Sequence, residues 1–168
     1  STPVYHNGKV YFGGWGNEFY CLDAKKGQAL WINKSGNGNR MLSAASCRPV
    51  ISNNKLFLVA PDRVMTVLNA STGEVVWKHK WDDSWVRESL GVSSDGETVY
   101  AKAMQGHLIA VGANKDSAEV QWKSGNTFGY ELNPSVITER NGIGYAISDK
   151  GVIAAFDKND ESTKLIHK

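Results

Sequence analysis

The chain has 168 residues, of which 41% are hydrophobic and 21% charged, with 17 glycines and a formal charge of +2. Its 19 basic and 17 acidic residues are interspersed rather than blocked, which argues against a nucleic-acid stripe or a polybasic membrane anchor. No apolar run approaches the ~18 residues of a membrane span, and the abundant glycine suits a chain that turns about every ten residues.

In chain order, Pro3-Val4-Tyr5 is a short apolar run, Asn7-Gly8 a two-residue turn signal, and Lys9-Val10-Tyr11-Phe12 a second run of β-forming residues. Gly13, Gly14 and Gly16 interrupt it, Phe19-Tyr20-Cys21-Leu22-Asp23 predicts a third strand, and Ala29-Leu30-Trp31-Ile32 a fourth after a turn at Lys26-Gly27. The same order returns as Pro49-Val50-Ile51, Lys55-Leu56-Phe57-Leu58, Met65 to Asn69 and Val75-Val76-Trp77. A third copy reads Leu90-Gly91-Val92, Thr98-Val99-Tyr100, Leu108 to Val111 and Val120-Gln121-Trp122, with two extra residues in its last turn. The fourth reads Pro134-Ser135-Val136, Ile143-Gly144-Tyr145, Val152 to Asp157 and Lys164-Leu165-Ile166, and lacks the tryptophan.

The phase of these copies is tight. Tyr11, Phe57, Tyr100 and Tyr145 stand at intervals of 46, 43 and 45 residues, and Gly16, Asp62, Gly106 and Gly151 follow at intervals of 46, 44 and 45. A period of ~40–50 residues with all-β patterning predicts blades of a β-propeller, each a four-stranded antiparallel sheet. Blades are expected at about 1–33, 46–79, 88–123 and 133–168, as one propeller segment. Trp31, Trp77 and Trp122 are expected to pack against the neighbouring blade, and Asp23, Asn69 and Asp157 to bond the backbone of the turns they precede.

The run Gly16-Asn17-Glu18-Phe19-Tyr20-Cys21-Leu22-Asp23-Ala24-Lys25-Lys26-Gly27-Gln28-Ala29-Leu30-Trp31, echoed by Val67 to Trp77 with its Thr72-Gly73 turn, resembles the pyrroloquinoline quinone (PQQ) enzyme repeat. That resemblance implies a propeller and covers essentially the whole chain. It does not select an activity, because similar proteins include quinoprotein alcohol dehydrogenases, non-catalytic outer-membrane assembly lipoproteins, and propellers appended to unrelated enzymes. It implies a periplasmic or otherwise extracytoplasmic setting.

Under the dehydrogenase alternative the resemblance calls for PQQ, a calcium or lanthanide ion, a catalytic aspartate and adjacent cysteines. Cys21 and Cys47 lie 26 residues apart, so no vicinal pair exists. Both are expected to be small buried thiols, and a bridge between them depends on blade geometry. Asp82-Asp83, flanked by Trp81 and Trp85, is the one adjacent carboxylate pair, and it reads better as a solvated loop than as a cation site. The histidines at 6, 79, 107 and 167 have no ligand spacing, and Gly36 to Arg40 reads as a flexible loop rather than a phosphate cradle. No catalytic residue, resident cofactor or metal site is expected, so the enzyme reading stays secondary.

Function is expected on the loops that enter each first strand, Gly36 to Arg48, Lys80 to Ser89 and Lys123 to Asn133, because loops on a rigid scaffold carry binding groups. Arg48, Trp85, Arg87, Glu88, Tyr130, Glu131 and Asn133 are the candidates for partner or ligand contact. Four units fall short of the seven or eight blades of similar propellers. The bare end faces are therefore expected to be covered by the rest of a longer parent chain, by a second copy, or by closure as a four-bladed ring. Absence of an initiator methionine fits a processed product or a piece. The reading is a non-catalytic binding or scaffolding module, the alternatives being a quinoprotein dehydrogenase fragment and an accessory domain of a hydrolase such as a metallophosphatase.

Overall fold

The computed structural model describes residues 2–36, 39–132, 135, 137–159 and 163–167, and gives only the backbone of Arg40, Ser89 and 163–167. Among the described residues, sixteen strands form four separate four-stranded antiparallel sheets, each a meander of consecutive strands. The first blade holds β1 (Val4–His6), β2 (Lys9–Gly13), β3 (Phe19–Asp23) and β4 (Ala29–Asn33). The second holds β5 (Val50–Ser52), β6 (Lys55–Val59), β7 (Met65–Asn69) and β8 (Val75–His79). The third holds β9 (Val86–Val92), β10 (Thr98–Ala103), β11 (Leu108–Gly112) and β12 (Val120–Lys123), and the fourth β13 (Ile137–Arg140), β14 (Ile143–Ile147), β15 (Ile153–Asp157) and β16 (Thr163–His167).

Local chemistry sets the turns. Asn7 and Gly8, Asn53 and Asn54, and Asn141 and Gly142 all take positive φ, the twist that a two-residue hairpin between right-twisted strands requires. At the outer hairpins the Asp23 carboxylate accepts from the N–H groups of Lys25 and Lys26, at 2.9 and 2.8 Å, and the Asn69 side chain does the same for Ser71 and Thr72. The loops between second and third strands each need one left-handed residue, and Asn17, Arg63, Gly106 and Gly151 supply it. These four follow Tyr11, Phe57, Tyr100 and Tyr145 by six residues every time. The repeated position is thus Asn17 and Arg63 in the first two blades, one residue beyond the Gly16 and Asp62 that composition alone suggests.

Blades are joined by a recurring contact. The Trp31 indole donates to the Ala70 carbonyl at 3.0 Å, the Tyr11 hydroxyl to the same carbonyl at 3.2 Å, and the two rings lie 6.0 Å apart. Phe57 with Trp77 and Tyr100 with Trp122 repeat the pair at 6.1 and 5.9 Å, and Trp122 donates to the Lys158 carbonyl at 2.8 Å. Trp77 is buried, yet its indole N–H meets no acceptor among the described residues. The outer turn of blade three spans 113–119, seven residues where the others have five. In the fourth blade Lys164 occupies the register position of the tryptophan, opposite Ala155.

Two expectations about strand placement change. The first strand of blade three begins at Val86 rather than near Leu90, and that of blade four is Ile137–Arg140 rather than the run beginning at Pro134. Of that run, Pro134 and Val136 lie outside the described residues. The connection expected as a loop at 36–40 continues into two single turns of 3-10 helix, Arg40–Leu42 and Ala44–Ser46, the second capped by Ser43.

The blades form an open arc. The core of blades one to three and a second cluster shared by Tyr100, Leu108, Phe128, Phe156 and neighbours are continuous packing between adjacent sheets. By contrast Ile143, Tyr145 and Ile147 on the last blade, and Leu30 and Ile32 on the first, remain exposed. The four blades therefore do not close on one another.

Candidate functional site: the loop rim and the inner channel

Antiparallel connectivity sorts the connections into two ends. Joins between first and second strands and between third and fourth strands lie at one end and are tight turns. Joins between second and third strands, and between blades, lie at the other. The inter-blade joins span 34–49, 80–85 and 124–136. Exposed large apolar side chains outside the strands are Trp15 (64%), Met41 (74%), Tyr130 (54%) and Leu132 (57%). All four belong to this second, long-loop end.

The rim has a firm base. The Arg63 guanidinium sits 4.0 Å above the Trp85 ring, and the Trp85 backbone N–H donates to the Gln105 side chain at 3.0 Å. The Tyr130 carbonyl accepts from Lys150 at 2.9 Å. Glu131, expected as a contact residue, instead turns inward: its carboxylate lies 2.6 Å from the Lys102 ammonium, with both side chains 1% exposed. Lys102 also donates to the Ile147 carbonyl and the Ser135 hydroxyl, and faces the Phe128 ring. The ion pair anchors the loop that presents Tyr130 and Leu132.

Inside the arc, first strands of all four blades line a cavity of about 460 Å³, bordered by His6, Arg48, Val50, Glu88, Leu90 and Ile137 among others. Arg87 and Glu88 belong to β9, and Glu88 forms part of this wall. Arg87 Nε lies 3.0 Å from a Glu88 oxygen, and the Ser46 hydroxyl donates to the other Glu88 oxygen at 3.1 Å. Arg48 is exposed at the channel mouth. Glu139, on the fourth blade, accepts from the N–H groups of Ser94 and Gly142. Asn133 lies outside the described residues.

The donor set does not fit the calcium that a PQQ site would need. Glu88 and Glu139 are the carboxylates of the cavity, and each is committed to protein partners. A hard cation takes six to eight oxygens, and no group of three His, Cys, Asp or Glu able to hold a metal occurs among the described residues. Asp82 and Asp83 are exposed outside the channel, and Lys123 pairs with Asp83 at 2.8 Å. That hydrogen bond, then the one from Ser84, holds the Asp83 carboxyl below its usual range. Cys21 and Cys47 are buried and not bridged to each other. His107 is buried against the Ser84 hydroxyl at 2.9 Å, and burial, followed by the Lys123 charge, lowers its pKa.

The sequence reading missed Trp15, Met41, Leu132, Arg63 and Lys102. A signal existed for Trp15: an indole among Gly13, Gly14 and Gly16 sits where the backbone turns and has little to pack against. None existed for Lys102, whose partner comes from 29 residues further along the chain.

Four meandering four-stranded sheets, packed side by side around a shared channel, define a propeller segment of PQQ-repeat type. The chain belongs to the family described as outer membrane protein assembly factor BamB, whose family model matches residues 1–165. Among solved structures, BamB from Moraxella catarrhalis is similar over 95% of this chain and 46% of that one, at 18% identity and a TM-score of 0.67. The computationally designed Ika8 protein matches over 98% and 47%, at 15% identity and a TM-score of 0.75. The designed Ika4 protein matches over 92% and 88%, at 14% identity and a TM-score of 0.72. The chain thus spans about half the length of the first two. No curated protein matches it, and no helix among the described residues is long and apolar enough to cross a membrane.

Proposed function

We propose that the chain is a non-catalytic binding module that works in an extracytoplasmic compartment and holds a partner protein on its long-loop rim. The observation that carries this reading is the placement of Trp15, Met41, Tyr130 and Leu132, all more than half exposed and all at one end. Large apolar and aromatic side chains with a nearby arginine are what interface centres use, and a soluble surface rarely gathers them without a partner. Among the described residues, the turns of the opposite end hold no exposed large apolar side chain. Support for the compartment comes from the family's description as an outer membrane assembly factor. Within a larger propeller the arc supplies part of the channel wall, and Arg48 at its mouth extends the binding surface inward.

Site-specific photo-crosslinking in the source cell's envelope tests this. A photoreactive residue at 15, 41 or 130 is expected to give discrete protein adducts, whereas one at 26, 53 or 97, on the opposite turns, is expected to give none. Adducts confined to the turn end, or equal at both ends, would remove the rim from consideration.

A further inference from the structure

A second cavity, of about 260 Å³, lies at the rim between blades one and two, and its walls come from strands and loops internal to the chain. Phe19 of blade one and Leu58, Val64, Thr66 and Leu68 of blade two line it, and the loop that follows blade one borders it through Gly36, Ser43 and Ala44 among others. Strand register equates the five lining residues with Leu108 of blade three and Ala146, Val152, Ala154 and Phe156 of blade four. Those counterparts form one buried cluster together with Phe128, which the loop after blade three supplies. Phe128 is 3% exposed, and its backbone N–H donates to the Gly106 carbonyl at 3.0 Å. Gly106 holds the position that Asn17 holds in blade one. The chain thus fills this place with an aromatic side chain of its own at one junction and leaves it open at another.

The polar groups at the open junction say what the occupant carries. Asn17 borders the cavity, and its side-chain oxygen is buried without a donor among the described residues. Glu18 and Asp62 border it too. The Tyr20 hydroxyl donates to Glu18 at 3.4 Å and the Val64 N–H to Asp62 at 3.1 Å, but neither carboxylate pairs with a cation among the described residues. Lys78, the cation at the cavity, is turned to the Ser35 carbonyl. We infer that this cavity receives an aromatic side chain of the partner, a tyrosine or tryptophan with a lysine or arginine beside it. The inference rests on the reading that the rim holds a partner protein, and it names the anchor. The ring takes the place that Phe128 has at the other junction, its O–H or N–H supplies the donor that the Asn17 oxygen lacks, and the basic neighbour faces the two carboxylates. Aromatic anchors seated in pockets and complementary charge around them are how interfaces gain affinity and register. Trp15 stands two residues before Asn17, and Met41 next to Leu42 on the cavity wall, so the mouth is continuous with the exposed rim.

Amide-resolved NMR titration of the purified chain with the capped dipeptide acetyl-Trp-Lys-amide tests this. Saturable shifts are expected at Asn17, Phe19, Gly36, Val64 and Thr66 with millimolar peptide, none with acetyl-Ala-Lys-amide, and weaker binding of acetyl-Trp-Glu-amide. Asn17→Gly puts in blade one the residue that blade three has there and keeps the left-handed backbone without strain. It is expected to stay folded and to weaken the peptide about three- to tenfold, the worth of one hydrogen bond. Glu18→Gln combined with Asp62→Asn is expected to erase the preference for lysine over glutamate. Absence of saturable shifts at these positions, equal binding of the alanine peptide, or undiminished binding by a folded Asn17→Gly chain would overturn the proposal. Crosslinks at 15, 41 and 130 with no shift at the cavity would remove this anchor and leave the rim reading standing, whereas shifts at the cavity with no rim crosslinks would remove the rim reading alone.

Discussion

The Lys102 ammonium and the Glu131 carboxylate meet 2.6 Å apart with both side chains 1% exposed, joining a central strand of blade three to the loop that leads into blade four. Removing one partner leaves a charge stranded in the interior. Glu131→Ala is expected to cost about 3–5 kcal/mol, whereas replacing both by apolar residues of similar volume should cost far less or nothing. Urea denaturation of the two singles and the double Lys102→Met with Glu131→Leu measures the coupling. A loss in the double variant equal to the sum of the two single losses would show that the pair is not coupled.

Trp77 is 8% exposed and packs edge-on against Phe57 at 6.1 Å. Trp77→Ala is expected to cost on the order of 3–5 kcal/mol through the cavity it leaves. A change below about 1 kcal/mol by chemical denaturation, small for a point substitution, would contradict the blade packing.

Gly73 and Gly8 share a left-handed backbone, with φ of +78 and +75. Alanine is strained at either, by about 1–2 kcal/mol. Only at Gly73 does the new methyl also strike the Trp31 ring, since nothing lies within 4 Å of the Gly8 position. Gly73→Ala should therefore lower stability by a further ~1–3 kcal/mol of overpacking, and equal losses at the two sites would refute the Trp31 contact.

His107 has a folded pKa below its ordinary 6.5, first because it is buried and second because Lys123 is near. The unfolded chain therefore binds the proton more readily. Its contribution is complete above the unfolded pKa and is lost as pH falls through the folded one. The melting temperature should drop between pH 7 and pH 5 more steeply in the wild type than in His107→Gln, and parallel profiles would exclude this group.

Both cysteines are fully buried, and burial pushes the Cys47 thiol up to about 12 and raises that of Cys21. The thiolate is the reactive form. A thiol reagent at pH 8 should label neither residue in the folded protein and both after denaturation. Rapid labelling of the native chain would place one of them at the surface.

Fold and site differ in how far the residues foretell them. The strands were legible because the same β-forming runs recur in phase, so an ambiguous segment such as Val120-Gln121-Trp122 is resolved by its counterparts. The first strands of blades three and four were displaced in the reading because the loops before them carry Arg87, Glu88 and Glu131, and charge suggests solvent. Here the charges are paired inside: Glu88 finds Ser46 and Arg87, and Glu131 finds Lys102. Such pairing depends on side chains from distant parts of the chain, which no local pattern records. Met41 was missed for the converse reason, since an isolated apolar side chain in a loop gives no local sign of whether the fold buries or exposes it.

The two ends of the blades also age differently. Outer turns hold five residues in three blades of four, while the inter-blade joins span 34–49, 80–85 and 124–136, lengths of 16, 6 and 13. Insertions at the rim leave every ladder untouched, and also the Trp31 and Trp122 contacts, because both indoles donate to outer-turn carbonyls at the opposite end. Segments of foreign sequence should therefore be graftable at 34–49 or 124–130 without retuning the sheets, which makes the rim the place where relatives of this chain can diverge fastest in what they recognise.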